Sequence, residues 1–164
     1  MKKYVLKAVI AGSLVASFGL GATSAQAAVA SATAKAKILR QVTLANTSDL
    51  QFGTIVSTTA ASTVVVSTSG ARTCGTGLVC SGASTAAGFD VTGSNNQIIT
   101  ITVPANVTLS SGANTMLASL AASNATLTLT GNAGSFSVGG TLAVGANQVD
   151  GDYSGSFNVT ADYQ

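Results

Sequence analysis

Histidine, tryptophan and glutamate are absent from the 164 residues, and charged side chains make up only 7% of them. Aromatic residues account for 5%, and there is a single proline. Each shortage excludes something. Without His or Glu, the commonest general base and a principal metal ligand are missing, and the side-chain carboxylates reduce to Asp49, Asp90, Asp150, Asp152 and Asp162. A nucleophilic serine would have no histidine to activate it, and Lys35 and Lys37 sit in no recognisable Ser-Lys motif. The expectation is a protein that is not an enzyme and needs no cofactor or metal. Soluble domains usually carry about 25% charge, so this surface must be built from Ser, Thr, Asn and Gly.

The chain opens with Lys2, Lys3 and Lys7, followed by an uncharged, largely apolar run from Ala8 to Gly21 and then Ser24-Ala25-Gln26-Ala27. A basic start, a short apolar stretch and small residues ahead of a cut are the marks of a secretory signal. The run of 14 residues is shorter than the ~20 of a membrane-spanning helix. Residues 1–27 are therefore expected to be removed between Ala27 and Ala28, leaving residues 28–164 as one exported domain with no membrane span. Its location would be the periplasm, the cell surface or the medium of a bacterium. Four bases, Lys35, Lys37, Arg40 and Arg72, then face five aspartates, a net charge of −1. With no basic cluster, nucleic acid is not an expected partner.

Between turn signals the mature chain alternates with period two and is rich in Val, Ile, Thr and Phe, the pattern of half-buried strands. Expected strands are Ala36–Leu44, Leu50–Val56, Thr63–Thr68, Gly88–Thr92, Gln97–Val103, Val107–Leu109, Thr126–Thr130, Ser135–Val144 with a break at Gly139-Gly140, and the last from Tyr153 to Tyr163. In the last, Tyr153, Gly155, Phe157, Val159, Ala161 and Tyr163 share the core face. The one competing helix is Thr115–Ala122, on Met116, Leu117 and Leu120. About eight or nine short strands with turns every ten to fifteen residues predict an all-β, antiparallel sandwich of the immunoglobulin-like kind.

Few residues invite chemistry. Cys74 and Cys80 bracket five residues; in an exported chain they read as a disulfide, since a redox pair usually has two residues between the thiols. Asp150-Gly151-Asp152 lacks the longer acidic pattern of a calcium loop and reads as a turn into the last strand. Asp90, between Phe89 and Val91, reads as a solvent-facing strand residue. Intact-mass analysis of the exported protein checks two of these points: the N-terminus should be Ala28, and no thiol should alkylate before reduction.

Three groups of segments carry a resemblance: Ile38 to Leu44 followed by Asp49 to Val56, then Ile99 to Pro104, and finally Val138 to Leu142 with Gly151 to Thr160. In this order they resemble the domain of unknown function 4402 family, small exported bacterial proteins whose name supplies no activity. The C-terminal strand is also similar to that of chaperone-usher pilin subunits, with Tyr163 penultimate and Gly151 fourteenth from the end. That resemblance implies a pilin-like, incomplete sandwich. Its strand-pairing edge would hold Gly151, Tyr153, Gly155, Phe157, Val159, Ala161 and Tyr163, filled by a periplasmic chaperone or by self-assembly. The leading expectation is thus a fimbria-like structural or adhesive subunit. The alternative is a periplasmic or extracellular module that binds a glycan or small ligand.

Overall fold

A computed structural model describes residues 26–164. Residues 1–25 of the expected signal segment lie outside the described residues. The chain divides into two units, Met1–Ala36 and Lys37–Gln164. In the first, residues 26–36 are exposed and without regular secondary structure. The second contains every strand found among the described residues.

Alternation in the sequence becomes alternation in burial. The chain forms β1 (Thr43–Ser48), β2 (Thr54–Val56), β3 (Ser62–Val66), β4 (Arg72–Cys74), β5 (Val79–Ser81) and β6 (Ala87–Thr92). It continues with β7 (Ile98–Thr102), β8 (Asn106–Ser111), β9 (Asn114–Ala122), β10 (Thr126–Thr128), β11 (Ala133–Val144) and β12 (Thr160–Tyr163). In β7, Ile99 and Ile101 are buried while Ile98, Thr100 and Thr102 are exposed, as a pleat with one wet face requires. All pairings are antiparallel, and the described residues contain no helix, so the fold is the expected all-β sandwich.

The strand count and four assignments are corrected, the first being the strand expected over Ala36–Leu44: residues 36–42 join no strand, and β1 runs from Thr43 to Ser48. Among the described residues there are twelve strands rather than eight or nine, because the short β4 and β5 escape detection by alternation and β9 occupies the stretch expected to be a helix. Thr115–Ala122 is not a helix: it belongs to β9, with Met116, Ala118, Leu120 and Ala122 turned inward and Leu117 left 50% exposed. The break foreseen at Gly139-Gly140 is absent, and β11 runs through it. The terminal strand is shorter than expected, since only Thr160–Tyr163 enters a ladder.

β11 organises the molecule. Its first half pairs with β6, Phe136 opposite Phe89, and its second half with β3, Leu142 opposite Val64. β9 takes the opposite edge, because Val138 is partnered by both Ala87 and Ala122, and Gly140 by both Val66 and Leu120. One edge of β11 therefore changes partner at Gly139. Two cores follow from this division. Phe89, Val91, Phe136 and Val138 pack against Ile99, Ile101 and Leu129, covered by the β10-β7-β12 sheet. Val64, Val66, Ala118, Leu142 and Val144 pack against Phe52, covered by the two-stranded β2-β5 ribbon.

The disulfide joins Cys74 of β4 to Cys80 of β5. It thus ties the ribbon to the edge of the large sheet rather than merely closing a loop. Arg72 reinforces the same junction, its Nη1 donating to the carbonyls of Phe52 at 3.0 Å and Ser81 at 2.8 Å. Reduction, or Cys74→Ala with Cys80→Ala, is expected to lower the unfolding free energy by about 2 kcal/mol, the chain-entropy value for so short a loop. Urea titration with and without reductant measures it.

Candidate functional site

Two features of the C-terminal region stand out: a strand edge and a cleft that opens beside its beginning. The sequence predicts a turn at residues 150–152 and one continuous strand over residues 153–163, and the structure divides that strand. Gly151 has φ of 152° and lies against Ser111, and Tyr153 sits beside it with its hydroxyl donating to the Val149 carbonyl at 2.8 Å. Ser154 then exchanges backbone hydrogen bonds with Ser110 at 2.8 and 3.1 Å. Gly155 passes directly over the Thr108 carbonyl, where a side chain would collide with backbone.

From there the chain remains alternating without a ladder. Phe157, Val159, Ala161 and Tyr163 are half-buried against the first core, and Ser156, Asn158, Thr160 and Asp162 are exposed. Residues 155–159 join no strand pairing and no backbone hydrogen bond among the described residues. β12 pairs with β7 and forms the end of its three-stranded sheet. Tyr163 anchors this end: its hydroxyl donates to the Arg40 carbonyl at 2.7 Å and accepts from the Ser94 amide at 2.6 Å. Gly93 leaves room for the ring. A penultimate tyrosine thereby holds the residues ahead of β1 to the end of the chain.

The cleft was not foreseen. One wall is the segment Leu50 to Ser57 and the other is Gln148 to Tyr153; Leu109, Met116, Leu142 and Val144 form the floor. Its volume is about 790 Å³. Ser57 Oγ donates to the Gln148 carbonyl at 3.1 Å and the Asn147 amide to the Thr58 carbonyl at 2.7 Å, which brings the two walls together there. Asp150 and Asp152 stand exposed on the rim. Only one local signal hinted at the first wall, the Phe52-Gly53 pair, where Gly53 turns with φ of 78° so that Phe52 can bury itself to 7% exposure.

Asp90 is exposed on β6 between its partners Ala45 and Ser135, as its alternation predicts, and it does not line the cleft. The described residues hold no group of three or more Cys, Asp, Glu or His side chains that could bind a metal ion. The arrangement offers contact surfaces: an alternating edge with free backbone groups and a cleft of mixed polar and apolar lining with an acidic rim.

These features define an all-β antiparallel sandwich protein whose C-terminal segment lies at an edge. Residues 42–163 match the pattern of the family described as domain of unknown function (DUF4402), and the chain belongs to that family. The match spans the whole sandwich from just before β1 to Tyr163. No curated protein and no solved structure matches the chain.

Proposed function

We propose that this protein is an exported, non-enzymatic structural or adhesive subunit that acts through β-strand pairing at its C-terminal edge. The observation that carries the reading is the stretch 155–159: an extended, alternating segment with Phe157 and Val159 on the core side and no ladder partner. Unpaired backbone donors and acceptors beside apolar side chains are a template for another strand. Sparse charge supports the same reading, because charged residues are a chief device by which sheets avoid edge-to-edge pairing. The disulfide fits an oxidising compartment, where such a subunit would work.

The partner strand would come from a second copy or from a periplasmic chaperone. Residues 28–35, exposed and outside every sheet, are one source of such a strand. Deleting Ala28–Lys35 is expected to abolish polymerisation of the mature protein while leaving its cooperative unfolding intact. Light scattering and urea titration read the two effects separately. Val159→Lys is expected to block assembly as well, since an unpaired charge in the filled edge costs several kcal/mol. A stable monomer at high concentration, indifferent to the deletion, would overturn the proposal.

A further inference from the structure

Residues 37–42 belong to the second unit although they enter no ladder, the first strand beginning only at Thr43. We propose that the Tyr163 hydroxyl is a latch that holds this strap on the sandwich, so that the free N-terminal arm ends at Ala36, and that opening the latch lengthens the arm as far as Val42. Burial alone gives the strap little hold. Leu39 and Val42 are only half-buried, and Ile38 between Lys37 and Leu39 is 93% exposed.

Arg40 is the point of attachment. Its amide donates to Ser94 Oγ at 2.7 Å, and its carbonyl accepts from the Tyr163 hydroxyl at 2.7 Å. Among the described residues, no other backbone group of residues 37–41 is hydrogen-bonded. The same hydroxyl accepts from the Ser94 amide at 2.6 Å, so one oxygen joins the strap, the turn between β6 and β7 and the end of β12. The surroundings are shaped for it. The ring is half-buried against the first core, and a Cβ at the buried Gly93 would stand 2.6 Å from the hydroxyl oxygen, a space that only glycine leaves open. Lys37 adds no more than an exposed side-chain bond to Gln97 Oε1 at 2.7 Å. The two bonds at Arg40, each of ordinary net strength, therefore work against the chain entropy gained when the strap lets go. A segment held in this way opens locally without unfolding the sandwich. For assembly, the latch would set how much chain a subunit can lend to its neighbour. The latch itself does not rest on the assembly reading and is tested without polymerisation.

Trypsin reads the latch directly. Lys35 lies in the arm, Arg40 in the strap and Arg72 in β4, and the carbonyl of the Arg40–Gln41 bond is the one that Tyr163 holds. In the mature protein, cleavage after Lys35 should be fast and cleavage after Arg40 slow. Tyr163→Phe keeps the ring and removes only the hydroxyl. It should speed cleavage after Arg40 about tenfold and leave the Lys35 and Arg72 rates unchanged, since proteolysis of a locally opened segment follows its population. Ser94→Ala, which removes the acceptor of the Arg40 amide, should act in the same direction. Tyr153→Phe is the control: its hydroxyl is bonded to Val149 and Gln148, and losing it should leave Arg40 protected. Mass spectrometry of the fragments over time gives each rate. The proposal is overturned if wild-type protein is cut after Arg40 as readily as after Lys35, or if Tyr163→Phe or Ser94→Ala leaves the Arg40 rate unchanged. It is equally overturned if Tyr153→Phe raises that rate as much, or if Arg40 and Arg72 become sensitive together, which would make the hydroxyl a support of the whole fold.

Discussion

Gly139→Ala should be among the most damaging single changes in the domain, lowering its unfolding free energy by about 3 kcal/mol or more. A methyl group at this position would stand 2.5 Å from the Val66 carbonyl oxygen and 2.8 Å from both the Ser67 carbonyl carbon and the Thr68 nitrogen. Every one of these is a backbone atom, so no side chain can swing aside. Relief requires the end of β3 to move off β11 at the point where that edge passes from β6 to β3. Both cores are built on that junction. Overpacking usually costs about 1–3 kcal/mol, and a rigid backbone obstruction belongs at or above the top of that range. Set against a total stability of about 5–15 kcal/mol, the loss is large. Gly140→Ala is the control, because its methyl would meet the Ser119 carbonyl oxygen at 3.0 Å and otherwise the movable ends of Leu50 and Leu120. Urea titration should rank Gly139→Ala well below Gly140→Ala. Equal stability of the two would refute the account of β11 as the strand that changes partners.

Phe136→Ala is expected to cost about 3–5 kcal/mol, the usual range for deleting a buried aromatic ring. Phe136 is 5% exposed and lies opposite Phe89 across the β11–β6 ladder, the ring centroids 5.3 Å apart and the planes inclined by 15°. The variant loses the transfer energy of the ring, this stacking, and the support it gives to the β10-β7-β12 sheet on the other side of the core. Phe157→Ala should cost less in the isolated subunit, because Phe157 is only half-buried at the edge of the same core. If strand pairing covers that edge, Phe157→Ala should nevertheless impair assembly more than Phe136→Ala impairs it per unit of stability lost. Denaturation midpoints and polymerisation rates for the two variants separate folding from assembly.

The amino-acid sequence by itself determined the class of this protein. Period-two alternation is a local property, and wherever a strand has one wet face, as in β7 or the run from Phe157 to Tyr163, the residues declare which side is core. The paired cysteines, the solvent-facing Asp90 and the all-β class were legible for the same reason, since each depends on a few neighbouring residues and a composition. Tertiary structure decided the rest. β9 carries Leu117 beside Met116 and Leu120, a grouping that also suits a helical turn, and only its ladders to β8 and β11 make it a strand. β4 and β5 have three residues each, too few for a period to show, and exist because their partners and the disulfide hold them. Alternation continues through residues 155–159 whether or not a ladder forms there, because it records which side faces the core and says nothing of which backbone groups find partners. The cleft brings Leu50–Ser57 to Gln148–Tyr153 across about a hundred residues of chain, a proximity set by strand pairing, for which no local pattern in either segment is a signal.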